Sequence, residues 1–459
     1  MINGQYLNCV RNRHLLAAAS CLLAMLFCMP AHAQFGRFFG GNGVVGGVSI
    51  DANGTLRSAT MQEKGGLLKD MRNSVGQPSA DMAKQANLRM ISLGGIQAEV
   101  AKAIAEGTTL SEEVRYLAGL QRIEYVFVYP EKNDIVLAGP AEGWVVREDA
   151  SVVGETTGRP VIHLEDLITA LRASKQTQSK AMSVSIDPTP EGAVALRNLL
   201  SRISGNNFNP AQAEPMIKEA FGAQVVSLTA VPEDSRMAST LVAADYQMKR
   251  IAMSLDASPV RGLPSYMDMI RNSGASATQP RWWMACDYDA ILHSEDKLAW
   301  RLSGKGIKAL TESEVVEQNG QRTQTGKANK TAQKWADLFT AKLDELCQKN
   351  SAFGDLRNVM DLNIVAAVIA GHQLERVAGC DLGLLRGTEG DLKTPSYRAP
   401  KNIDPQCSFV RGRVGWTISA SGGVEINPWK VVGTQSKEDS AVHAVYTKAR
   451  KTGASWWWN

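Results

Sequence analysis

Ser183-Val184-Ser185-Ile186-Asp187-Pro188-Thr189-Pro190 is the stretch on which the fold class turns. Residues 183–186 read as a strand, and Thr189 with Pro190 behind it reads as the start of a helix ending near Ile203. The first amides of a helix have no partner inside it, so a threonine hydroxyl at that position accepts from one of them. The proline that follows has no amide to satisfy and already holds a helical φ. The same passage from strand to helix occurs on either side. Residues 161–164 lead into a helix over 165–174. Residues 224–231 lead through Pro232-Glu233-Asp234 into a helix over 237–255, where Leu241, Ala244, Met248, Ile251 and Leu255 form an apolar stripe. Strands alternating with helices predict an α/β or α+β fold, with a first domain over 81–259.

Upstream, Ile96, Val100, Ala103 and Ile104 share one helical face. The β-rich runs 125–129 and 135–138 are separated by Pro130-Glu131-Lys132-Asn133-Asp134 and predict a hairpin, which 144–147 and 152–153 extend as a meander. Residues 34–80 are a Gly-rich, weakly docked entry segment that holds a short hairpin turning at Asn53-Gly54. Downstream, 260–459 reads as a mixed β and helical domain. It has successive strands over 281–310 and two or three helices over 327–374. A loop-rich stretch bracketed by Cys380 and Cys407 follows, then a hairpin over 414–429 around Ser421-Gly422-Gly423. Within the helical part, 362–370 is apolar nearly all round and is expected to be buried.

The chain begins with a basic start at Arg11, Arg13 and His14, an uncharged apolar run over 15–28, and Ala31-His32-Ala33. These are the three parts of a secretory signal peptide, 1–33, cleaved after Ala33. The apolar run is short for a bilayer span, so no transmembrane segment is expected in the mature chain. The expectation is an exported protein of the periplasm or cell envelope. An apolar fraction of 44% with 21% charged residues is that of a folded globular chain. Loss of Arg11 and Arg13 with the leader takes the net charge from +4 to +2, too little to argue for nucleic acid. Four of the seven cysteines remain after processing: Cys286, Cys347, Cys380 and Cys407. In an oxidising compartment all four are disulfide candidates, and Cys380–Cys407 is favoured because it would close a loop with little core of its own. Cys286 and Cys347 also suit buried free thiols.

Motifs for catalysis appear only in fragments. Gly41-x-Gly43-x-x-Gly46 lacks the flanking strand and helix of a dinucleotide site, and 320–327 has the wrong spacing for a phosphate loop. Ser294-x-x-Lys297 lies between strands rather than opening a helix. No cofactor is expected. The best constellation is one strand face carrying Asp287, Asp289, His293 and Glu295, with Trp282, Met284, Cys286, Tyr288, Ala290 and Leu292 on the other. Carboxylates with an imidazole suit acid–base work or a divalent cation, and so mark an extracytoplasmic hydrolase or metal-dependent enzyme. The plainer reading is the wet face of a half-buried strand. Trp282, Trp283, Trp300, Trp416 and Trp429 suit either core packing or stacking on sugars. Trp456, Trp457 and Trp458 at the chain end form an apolar patch that must dock on the body or on a partner.

Several stretches resemble a family of uncharacterised exported planctomycete proteins filed as domain of unknown function 1598. They are Tyr125-Val-Phe-Val-Tyr-Pro-Glu through Ile135-Val-Leu-Ala-Gly-Pro-Ala-Glu-Gly-Trp144, Asp187-Pro-Thr-Pro-Glu-Gly192, Ala244-Asp-Tyr-Gln-Met-Lys-Arg-Ile251 and Arg281-Trp-Trp-Met-Ala-Cys-Asp-Tyr-Asp289, with the Trp-Trp-Trp-Asn end. The resemblance implies export and one composite unit, and carries no catalytic residue. The sequence therefore points to a non-catalytic binding or structural protein of the cell envelope, with an envelope protein or a glycan as its partner.

Overall fold

The computed structural model describes residues 48–50, 54–203, 210–273, 280–316, 322–389, 392–398, 400–410, 415–419, 422–433, 436–450, 453 and 455–459. The leader expected over 1–33, and residues 34–47 and 51–53 of the entry segment with Asn53 of its expected turn, lie outside these residues. The helix entry forms as its residues require: the Thr189 hydroxyl accepts the Gly192 amide at 3.0 Å, and Pro190 opens the helix Pro190–Ile203. A second helix, Pro210–Phe221, packs beside it around Leu196, Ala213 and Ile217. The strand Gln224–Thr229 then runs antiparallel to Met182–Asp187. The helix Arg236–Ala252 follows, with Ser235 accepting the Ala238 amide at 3.1 Å, and is buried along almost its whole length.

These pieces belong to an α/β or α+β fold with two large sheets. The nine-stranded sheet runs, in spatial order, Val48–Ile50, Thr55–Ser58, Asn402–Ile403, Gln224–Thr229, Met182–Asp187, Gly422–Ile426, Pro280–Asp287, Gly306–Val316 and Arg322–Gln324. The seven-stranded sheet runs Lys437–Glu438, Leu292–His293, Ala299–Arg301, Tyr125–Tyr129, Asp134–Ala141, Ala86–Ser92 and Trp457–Trp458. Strands from before and after residue 259 occur together in both, so the expected boundary there does not separate two sheets. A helical layer packs against one face of each. At its centre is Ser351–Gly371, buried from Ser351 to Ile369, in keeping with its all-round apolar sequence.

Two local expectations are corrected. Residues 161–163 are not a strand; Ile162 makes a single backbone bond to the Leu120 carbonyl at 2.7 Å and the helix Leu164–Ala173 begins at once. The 414–429 hairpin also does not form. Gly415–Ser419 pairs with Gln406–Val410, whereas Gly422–Ile426 inserts between Met182–Asp187 and Pro280–Asp287. Glycine makes that insertion possible: a Cβ on Gly422 would lie 2.3 Å from the Trp282 carbonyl oxygen and 2.6 Å from Lys249 Cε. The entry helix Met61–Ser74 buries no residue. Among the described residues no helix is long and apolar enough to cross a membrane.

Candidate functional site

Met182–Asp187 alternates apolar and polar residues, and so sends two different sets to its two faces. Met182, Val184 and Ile186 are buried against the helical layer. Ser183, Ser185 and Asp187 stay half-exposed, and the Ser185 hydroxyl bonds the Asp187 carboxylate. The registers carry this division across the sheet. Thr229, Ser183, Glu425, Ala285 and Lys308 stand in one row over five strands, and Ser227, Ser185, Gly423, Trp283 and Leu310 in the next. Four strand spacings of about 4.8 Å make each row about 19 Å long. This outer face is polar and open; no residue of these rows except Gly423 is buried.

At one end of the face, where Pro280–Asp287 stops, lies a groove of about 390 Å³ lined by Trp283, Asp287, Asp289, Lys308, Glu425 and Asn427. A second hollow of about 420 Å³ shares Asp287, Tyr288 and Asp289 with the groove and is lined further by Arg122, Gly304 and Lys305. Just beyond the strand, Tyr288 keeps to the inner face of Trp282 and Met284. Its hydroxyl donates to Asp361 Oδ1 at 2.6 Å, and Arg122 holds the same buried carboxylate through two bonds of 2.9 and 3.0 Å. Burial and the Asp361 charge raise the Tyr288 pKa well above the phenol range, so this hydroxyl is an anchor rather than a base. Gly304, at φ +117°, lets the chain pass close by: a Cβ there would lie 2.7 Å from the Asp287 carbonyl oxygen. Trp283 is held by the Arg281 guanidinium, 4.8 Å from its ring centre. Lys308 Nζ stands 3.8 Å from Asp287 Oδ1, with the two side chains 42% and 34% exposed, a weak pair in solvent. Among the described residues the carboxylates of Asp289 and Glu425 have no hydrogen bond or ion pair, and Glu425 and Asp289 are exposed.

The expected single face of Asp287, Asp289, His293 and Glu295 is divided. Asp287 and Asp289 stay at the groove, but the backbone leaves the sheet at Tyr288 and Leu292–His293 joins the other sheet. His293 is buried there, with Nδ1 hydrogen-bonded to the Ser294 carbonyl at 2.9 Å and the ring against Trp300. Glu295 lies in an exposed turn. The proposed metal or acid–base set is thus not assembled, and among the described residues no three His, Cys, Asp or Glu side chains are placed to hold a metal ion.

Cys286, Cys347 and Cys380 are free thiols, which corrects the expected Cys380–Cys407 bridge. Cys380 is buried next to Asp134 and Ile135 of the seven-stranded sheet, and burial pushes its pKa up to about 11. The strand carrying Cys407, whose side chain lies outside the described set, runs instead beside Pro210–Phe221 and Tyr266–Ser273. Cys286 borders the groove with its pKa raised to about 12 by burial. The terminal indoles dock on the chain itself. Trp457 and Trp458 pair with Ile91 and Met90, Arg89 lies over the Trp457 ring at 5.2 Å, and Trp458 Nε1 donates to the Ala449 carbonyl at 2.9 Å.

One charged cluster was missed from sequence. Arg236 is buried among Asp166, Asp355 and Glu165; it bonds Asp166 directly and Asp355 at 2.8 Å, and its Nε stands 3.9 Å from Glu165. Tyr397 donates to Glu165 at 2.7 Å, and His163 Nδ1 lies 3.6 Å from the same oxygen. The signal was an arginine just ahead of the apolar stripe of Leu241, Ala244, Met248 and Ile251, a place where a buried charge must find partners.

Residues 184–266 match the model of a family described as a protein of unknown function, DUF1598. No curated protein and no solved structure matches the chain. The matched stretch supplies two adjacent strands of the open face, with Ser185, Asp187, Ser227 and Thr229, and the helix that carries Arg236.

Proposed function

We propose that the chain is an exported, non-catalytic binding or structural protein of the cell envelope that works through the outer face of its nine-stranded sheet. The basic start, apolar run and Ala31-His32-Ala33 support export. The observation that carries the binding reading is the face itself: two rows over five strands that present Thr229, Ser183, Glu425, Lys308, Ser227 and Ser185, with Trp283 and two carboxylates that have no partner among the described residues around a groove. Side chains that satisfy no neighbour in the fold are the ones available to a ligand. The enzymatic alternative needs His293 near Asp287 and Asp289, and His293 lies in a different sheet from Asp287.

The test is a mild crosslink of tagged protein in its native envelope fraction, followed by recovery and mass spectrometry. The expected result is a chain that begins at Gln34 and carries envelope material with it, and a loss of that material in an Asp289→Ala, Glu425→Ala variant. A chain recovered alone, equal retention by the variant, or a start at Met1 with the protein in the cytosolic fraction would each overturn this reading.

A further inference from the structure

We propose that the ligand of this face is a neutral polyhydroxylated polymer, an oligosaccharide chain laid across the strands with one ring against Trp283. The inference rests on the binding reading above and specifies its chemistry.

Three features of the face select among ligand classes. The first is charge. Asp287, Asp289 and Glu425 stand with Lys308 and Lys430 around the groove, so neither sign dominates. A polyanion such as nucleic acid needs a basic stripe, which this face does not offer. The second is polarity. The two rows present hydroxyls from Thr229, Ser183, Ser227 and Ser185, with Trp283 as their aromatic member, whereas a protein partner is held by a desolvated cluster of large apolar anchors. The third is backbone. An extended peptide binds a sheet by pairing along a free edge, but here the seat is a face whose strands already bond to neighbours on both sides. Only side chains and the indole can make contacts. Sugar hydroxyls suit short hydroxyl, carboxylate and amide groups, and the apolar face of a sugar ring suits an indole. The row of about 19 Å accommodates several sugar rings in line.

The experiment uses the full mature chain on an array of immobilised polysaccharides: neutral glucans, mannans, galactans and xylans, chitin, peptidoglycan, and sulfated galactans as the polyanionic counterpart. The expected result is binding to at least one neutral polymer, weakened at least tenfold by Trp283→Ala and by the Asp289→Ala, Glu425→Ala pair, with unchanged thermal unfolding. The double variant removes only exposed carboxylates, so it keeps the test valid if Trp283→Ala fails to fold. In parallel, envelope material is treated with proteinase, the proteinase is inactivated and washed out, and the purified mature chain is then added before the crosslink. Retention that survives the treatment supports a glycan. Binding to sulfated polymers alone, or to none, overturns the proposal. Envelope retention abolished by proteinase does the same, while leaving the binding reading intact.

Discussion

The two sheets of this protein show opposite treatments of the same problem. In the seven-stranded sheet, Tyr125-Val126-Phe127-Val128-Tyr129 is apolar on both faces. Val126 and Val128 enter the helical layer, while Phe127 and Tyr129 pack on the other side under Val442 and Tyr446 of the helix Ser440–Lys448. In the nine-stranded sheet, Met182-Ser183-Val184-Ser185-Ile186-Asp187 is apolar on one face only, and among the described residues the outer Ser183 and Ser185 stay half-exposed. A sheet covered on both sides is committed to its own core. A sheet left open on one side with unpartnered carboxylates has a surface to give to something else. The difference is already present in the period-two pattern of the two strands.

The largest effect should come from breaking the covered side. Phe127 is fully buried between Tyr125, Tyr129 and Tyr446, at ring separations of 5.4 to 6.4 Å. Phe127→Ala should lower unfolding stability by about 3–5 kcal/mol through lost transfer energy and a residual cavity. Chemical denaturation measures it. A loss below about 1 kcal/mol would mean that the helix Ser440–Lys448 does not seal this face, and the contrast between the sheets would fail.

Much of this was open to reading from the residues alone, because the relevant signals are local. The Thr189 cap, the hairpin around Pro130–Lys132 and the buried central helix each depend on neighbours in sequence. What stayed hidden depends on partners far along the chain. Gly422–Ile426 reads as half of a local hairpin, and only the close approach of Lys249 and Trp282 shows why Gly422 belongs at the middle of a sheet. The face of Asp287 and Asp289 was visible, but not the bond from Tyr288 to Asp361, seventy-three positions away, nor the pairing of His293 in the other sheet. The Arg236 cluster likewise draws on four separate segments.

That cluster sharpens the contrast by pH. Burial raises the Asp166 pKa to about 7, with Arg236 opposing and the carboxylates of Glu165 and Asp355 reinforcing the rise. Between the unfolded value of 3.8 and about 7, the native state keeps a proton that the unfolded chain has released. Stability contributed by this group therefore falls as pH rises through that window, by at most about 1.4 kcal/mol per pH unit, and levels off above it. His163 acts in the opposite sense, since burial lowers its pKa and the unfolded chain binds the proton first as pH drops. The decisive quantity is thus a difference. The stability of Asp166→Asn relative to wild type should rise steadily from pH 5 to pH 7. Parallel curves would show that Asp166 ionises normally beside Arg236.

The smallest effect is expected on the open face, and its smallness is the point. Ser183 and Thr229 are directly opposite each other on adjacent strands, and neither is buried. Removing their hydroxyls takes nothing from the core and leaves no buried group without a partner. Ser183→Ala and Thr229→Ala should each change unfolding stability by less than about 0.5 kcal/mol. The double variant should be additive within about 0.5 kcal/mol, because no bond joins the two hydroxyls. A loss of 1 kcal/mol or more from either would mean that these side chains do have partners in solution. The face would then be covered as its counterpart is, most simply by a second copy of the chain, and sedimentation of the wild type against Ser183→Ala would reveal it. Near-neutral stability together with weakened retention of envelope material would instead separate what the serines do for the fold from what they do for a ligand.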